Sequence, residues 1–117
     1  MQVRIVYFQG CPNHEPATAL VQAVADEIGV PIELSEIRVE SERDAKRERM
    51  LGSPTIQLDG TDIDPAARGR DDYAMSCRVF GGADGLPPRE MIAAALRGED
   101  YEPGHQADAD GRDGYRS

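Results

Sequence analysis

Residues 2–8 are crowded with strand-forming types (Val3, Ile5, Val6, Tyr7, Phe8), and a few positions later the pattern turns helical. Ala17, Leu20, Val21, Val24, Ala25 and Ile28 repeat at i, i+3, i+4, the spacing of one apolar helix face and the strongest periodicity in the chain. Between the two patterns stand only Gln9, Gly10, Cys11, Pro12 and Asn13. Asn13 suits an N-cap, which makes His14 the first helical residue and Pro16 the third, where its missing N–H costs nothing; Gly29 closes the helix. A mostly buried strand that turns at once into an amphipathic helix is the first step of an α/β fold, and it has a cysteine in the turn.

Residues 30–39 alternate through Ile32, Leu34, Ile37 and Val39, with a slip in phase at Ser35-Glu36, and read as a second strand. Ser41 caps a short, highly charged helix over 42–51, with few apolar contacts (Ala45, Met50, Leu51) and Gly52 just past its end. Residues 53–58 and 61–64 flank Asp59-Gly60, the favoured two-residue hairpin turn, which sets Ile56 opposite Ile63 and Leu58 opposite Thr61. Residues 65–72 are polar loop. Residues 73–80 are either a short strand with Tyr73, Met75, Cys77 and Val79 on one side or an irregular excursion. Pro87-Pro88 opens a last helix carrying Met91, Ile92, Ala95 and Leu96, stopped by Gly98. The expected order is β-α-β-α-β-β-α, with a short insert before the final helix.

Charge narrows the class of partner. The 117 residues carry a formal net charge of −9, and a surface of that sign is unsuited to the phosphates of nucleic acid. No apolar run approaches the ~18 residues of a membrane span, and the N-terminus is too strand-like for a signal peptide, so a cytoplasmic location is expected. Residues 1–98 read as one domain. Residues 99–117 read as a disordered acidic tail, with Glu99, Asp100, Glu102, Asp108, Asp110 and Asp113 against Arg112 and Arg116.

Two cysteines are too few for a disulfide framework; in a cytosolic chain such thiols are more often catalytic or metal-binding. At the start of a helix, Cys11 meets the positive end of the helix dipole and free backbone N–H groups. Both favour the thiolate, which is the nucleophile and the soft-metal ligand; the plainer alternative is a small buried apolar residue. His14 stands three residues on, in a C-x-x-H spacing. It can take the thiol proton, share a metal, or be a surface residue of the first turn. Cys77 lies 66 positions after Cys11 and is either its partner or a core cysteine beside Met75 and Val79. Pro54 marks the first residue of a strand or a cis turn. The charged run 40–49 is a solvated helix face, and Tyr7 and Phe8 read as core.

At Y-F-Q-G-C-P-N-H-E-P-A, with G-S-P-T at 52–55 and S-C-R-V-F at 76–80, residues 2–97 resemble a family of small bacterial thioredoxin-like proteins, some labelled alkylmercury lyase-like. The resemblance implies a thioredoxin-like sheet with Cys11 in the place of that fold's first redox cysteine and Ser53-Pro54 as its cis-proline turn. It implies Cys11 as nucleophile, with Ser53 and Pro54 as the substrate-facing loop; beside these, Cys77 and His14 are the candidate catalytic partners and Pro12 and Asn13 the further candidates for substrate contact. The departure is His14, which occupies the second cysteine's place in a C-x-x-C, so a resolving thiol must be Cys77 or belong to another molecule. A thiol–disulfide oxidoreductase of monothiol type follows, acting without a cofactor on a protein or small-molecule thiol or disulfide. The alternatives are a soft-metal (mercury, copper or zinc) carrier or an alkylmercury lyase-like protein, each working through Cys11 and Cys77.

Overall fold

The computed structural model describes residues 1–78, 80, 85–99 and 101. The chain runs β1 (Gln2–Phe8), α1 (His14–Ile28), β2 (Glu33–Val39), α2 (Glu42–Glu48), β3 (Leu51–Ser53), β4 (Thr55–Leu58) and β5 (Thr61–Asp62). A 3-10 turn (Pro65–Ala67), β6 (Ala74–Cys77) and α3 (Arg89–Leu96) follow. The fold is mixed α/β. Four strands form one sheet in the order β2-β1-β4-β5, and β3 pairs with β6 separately. β1 is parallel to β2 and antiparallel to β4, and β4 is antiparallel to β5.

Side chains alternate across β1 and so reach two cores. Val3 and Ile5 join Val21, Val24 and Ala25 of α1, Ile56, and Met91, Ile92 and Leu96 of α3 in the larger cluster. Val6, facing the other way, packs with Val39, Ala45 and Met50. α1 and α3 thus cover one face of the sheet and α2 the other. Each fully buried aliphatic side chain stabilises by about 1.5–3 kcal/mol relative to exposure, so these two clusters hold the layers together.

Helix ends follow local chemistry. Gly29 stops α1 in the left-handed region (φ 76°), its N–H directed at the carbonyls of Ala25 and Asp26. Ser41 caps α2 as expected, its Oγ accepting the Asp44 N–H at 3.1 Å. The Asp59-Gly60 turn has both φ angles positive (50° and 87°), as the expected hairpin requires. Leu58 stands opposite Thr61, and the Ile63 N–H donates to Ile56.

Several boundaries differ from the sequence expectation: the run 53–58 is divided at Pro54 between β3 and β4, and β5 ends at Asp62 rather than Asp64. β2 starts at Glu33 rather than Val30, because Pro31 lacks an N–H and β1 offers its first partner at Gln2. α2 ends at Glu48 rather than Leu51. Arg49 takes the left-handed position (φ 60°) expected of Gly52, and Met50 and Leu51 leave the helix to be buried, Leu51 opening β3. Gly52 has a different duty: at φ 107°, a Cβ there would lie 3.0 Å from Cβ of Arg78. Within residues 73–80 the strand is confined to Ala74–Cys77, where β3 supplies a partner; Val79 lies outside the described residues.

Of the acidic segment, the Glu99 N–H donates to Ala94 at 2.8 Å and Tyr101 packs against the larger core; residues 102–117 lie outside the described residues. No helix among the described residues is long and apolar enough to cross a membrane.

Glu48 ties α2 to the sheet through Arg4. Burial pushes its carboxyl up, but the hydrogen bonds from Arg4 and Arg47 outweigh this and hold it below the usual carboxylate range. The folded state therefore binds this proton less readily than the unfolded chain. The contribution is complete above the unfolded carboxylate range and is lost as pH falls through the folded value. Glu48→Gln should be less stable than wild type near pH ~7, and the gap should close by about pH 2 in urea denaturation. A gap of the same size at both pH values would contradict the linkage.

Candidate functional site

Cys11 is held in a tight turn between β1 and α1. Gly10 supplies a positive φ of 91°, the Cys11 N–H donates to Phe8 at 3.2 Å, and the Cys11 carbonyl accepts from His14 N–H at 3.4 Å. The thiol is free and partly exposed. It shares an open depression with Tyr7, Gly10, Pro12, His14 and Arg38.

Alternation on β1 places Tyr7 on the same face as Val3 and Ile5, last in the row, where it meets the first residue of α1. The Tyr7 and His14 rings are stacked, with centroids 3.5 Å apart and planes 5° from parallel; such pairs contribute about 1 kcal/mol beyond the area they bury. Tyr7 is half-buried site wall rather than the core residue expected from sequence.

Across the parallel ladder, Ile5 pairs with Glu36 and Tyr7 with Arg38. Glu36 Oε2 lies 2.8 Å from His14 Nε2 and 3.0 Å from Thr18 Oγ1, and that hydroxyl is also 3.1 Å from the His14 carbonyl. His14 is thus no loose surface residue: its side chain is only 15% exposed. The phase slip in β2 has its explanation here. Leu34 serves the α1 core while Ile37 and Val39 serve the α2 core, which leaves Glu36 and Arg38 on the α1 face at the mouth of the site.

Asn13 holds the N-cap position, yet its side chain makes no cap hydrogen bond. Its backbone (φ −100°, ψ 3°) is not the extended form that turns a capping side chain onto the next amides. Its amide nitrogen instead sits where a Cβ on Gly85 would come within 3.0 Å.

The Ser53–Pro54 peptide is cis. Both residues are buried, so they back the site rather than line its depression. Ser53 Oγ accepts the Phe8 N–H at 3.3 Å, and the Ser53 carbonyl accepts the Arg78 N–H at 3.0 Å. Ser53 also pairs with Cys77 between β3 and β6. The two cysteine positions are therefore linked in the order Cys11, Phe8, Ser53, Cys77, with the Ser53 side chain making the middle step. Among the described residues, no group of three or more His, Cys, Asp or Glu side chains is placed to hold a metal ion.

Arg78, to which the sequence alone assigned no role although it lies within S-C-R-V-F, anchors this strand end. Its side chain is 6% exposed and grips Asp62 with two hydrogen bonds, at 2.7 and 2.9 Å. Its guanidinium lies 4.3 Å from the Phe80 ring centroid, and Thr55 Oγ1 is 3.4 Å away. An alternation pattern cannot announce a buried ion pair between residues 16 positions apart.

Set against family models, curated proteins and solved structures, the chain matches none of them.

Removing one partner of a buried ion pair strands the other charge. Asp62→Asn should cost about 3–5 kcal/mol in chemical denaturation, and pairing it with Arg78→Met should restore much of that loss. Equal losses in the single and double variants would show that the pair is not coupled.

Proposed function

We propose that the chain is a thioredoxin-like thiol–disulfide oxidoreductase of monothiol type, with Cys11 as nucleophile. The observation that carries this reading is the position of Cys11, on the turn from the central strand into a 15-residue helix, with its thiol free and opening into a depression. A thiol there lies at the positive end of the α1 dipole, with no Asn13 side-chain cap competing for the first-turn amides. The parallel β1/β2 pair, the antiparallel β4/β5 hairpin on the other side of β1 and the cis Ser53–Pro54 peptide also support a thioredoxin-like arrangement.

The chemistry is an exchange. The Cys11 thiolate attacks one sulfur of a disulfide, the sulfur–sulfur bond breaks, and the second sulfur departs as a thiolate. The resulting mixed disulfide is then attacked by a second thiolate, from Cys77 or a small-molecule thiol, which releases Cys11. The open depression suits a protein or small-molecule disulfide as substrate.

Incubation of the full chain with glutathione disulfide, followed by intact-mass and peptide analysis, tests this reading. One glutathione should attach at Cys11, excess glutathione should remove it, Cys11→Ser should form no such adduct at position 11, and Cys77→Ser should still acquire it. An unmodified Cys11 in wild type would overturn the proposal.

A further inference from the structure

His14 has a partner that the thiol reading alone does not require. A carboxylate only accepts hydrogen bonds, so the 2.8 Å contact with Glu36 places the imidazole proton on Nε2. Among the described residues, Nδ1 has no hydrogen-bond partner, and the Tyr7 ring stacked at 3.5 Å opposes rotation of the imidazole. Thr18 fixes the carboxylate from α1. The one cation nearby on β2, Arg38, is bound to Glu40 at 2.7 Å, so Glu36 is left to His14 and Thr18. His14 and Cys11 line the same depression.

From this arrangement we infer that Glu36 is a positioning residue that fixes the His14 tautomer, and that Nδ1 of His14 is the proton acceptor and donor for Cys11. The inference rests on Cys11 being the nucleophile. In the forward step the Cys11 S–H proton passes to Nδ1, leaving a thiolate and an imidazolium whose charge Glu36 balances. The thiolate then attacks the disulfide, and the imidazolium returns the proton to the departing thiolate, giving a neutral thiol and neutral His14. No external oxidant beyond the disulfide substrate is needed. Tyr7 and Thr18 support the geometry without exchanging a proton.

Two readouts on the full chain test it. The first is the nitrogen chemical shifts of the His14 imidazole, identified by their loss in His14→Asn. The neutral wild-type ring should be the Nε2–H tautomer, Glu36→Val should give a mixture, and Glu36→Gln, whose amide oxygen still accepts, should retain it. The second is the rate of Cys11 alkylation by iodoacetamide, resolved from Cys77 by peptide mass. It should fall about tenfold in Glu36→Val, less in Glu36→Gln, and about a hundredfold in His14→Asn. Valine is a strong strand former, and circular dichroism confirms that each variant is folded. A fast wild-type Cys11 whose rate is unchanged in Glu36→Val, or a tautomer unaffected by that change, overturns the role of Glu36 alone. A wild-type Cys11 no faster than an unfolded cysteine overturns the nucleophile reading and this inference with it.

Discussion

The structure depends on the double pairing of β1. One seven-residue strand is held parallel by β2 and antiparallel by β4, so its alternating side chains face two different cores. Hydrogen bonds on both edges fix its register, and burial on both faces makes a one-residue slip prohibitively unfavourable, since it would exchange Ile5 for Val6 and expose each to the wrong layer. With the strand fixed, its C-terminal end becomes a rigid platform. Tyr7, Phe8 and the Cys11 turn inherit their positions from it.

Each neighbour of Cys11 is then delivered by a different element meeting that platform. α1 begins where Tyr7 ends the α1-facing row, and so His14 comes to lie on a ring. β2 runs beside β1 in parallel and carries Glu36 to the imidazole. On the other side, Ser53 reaches the Phe8 amide, and the Arg78–Asp62 pair braces the strand end that carries Cys77. The polar groups behind the site are thus satisfied by partners in the fold, which keeps the cost of burying them low.

The local signals were the legible part. The spacing of Ala17 to Ile28 located α1 to the residue, and Asp59-Gly60 located the hairpin with its pairing, because both depend on side-chain period and turn chemistry within a few residues. Ser41 and Gly29 announced helix ends for the same reason. The boundaries at Val30 and Leu51 were not legible, because they are set by where β1 offers a partner and by the burial of Met50 and Leu51. In the site, Cys11 and His14 could be singled out from their spacing. Glu36 could not, since the residue pairs with His14 only through the register of a parallel ladder; its trace in the sequence is the broken alternation at Ser35-Glu36. The pairing of Arg78 with Asp62 left no local mark, since the two are 16 positions apart.

We propose that the fold itself makes Cys11 reactive, and the ratio of its alkylation rates in native and urea-unfolded protein at one neutral pH measures this. Native Cys11 should react faster than the same residue in the unfolded chain, although folding covers part of it. A native rate equal to or below the unfolded one would contradict it.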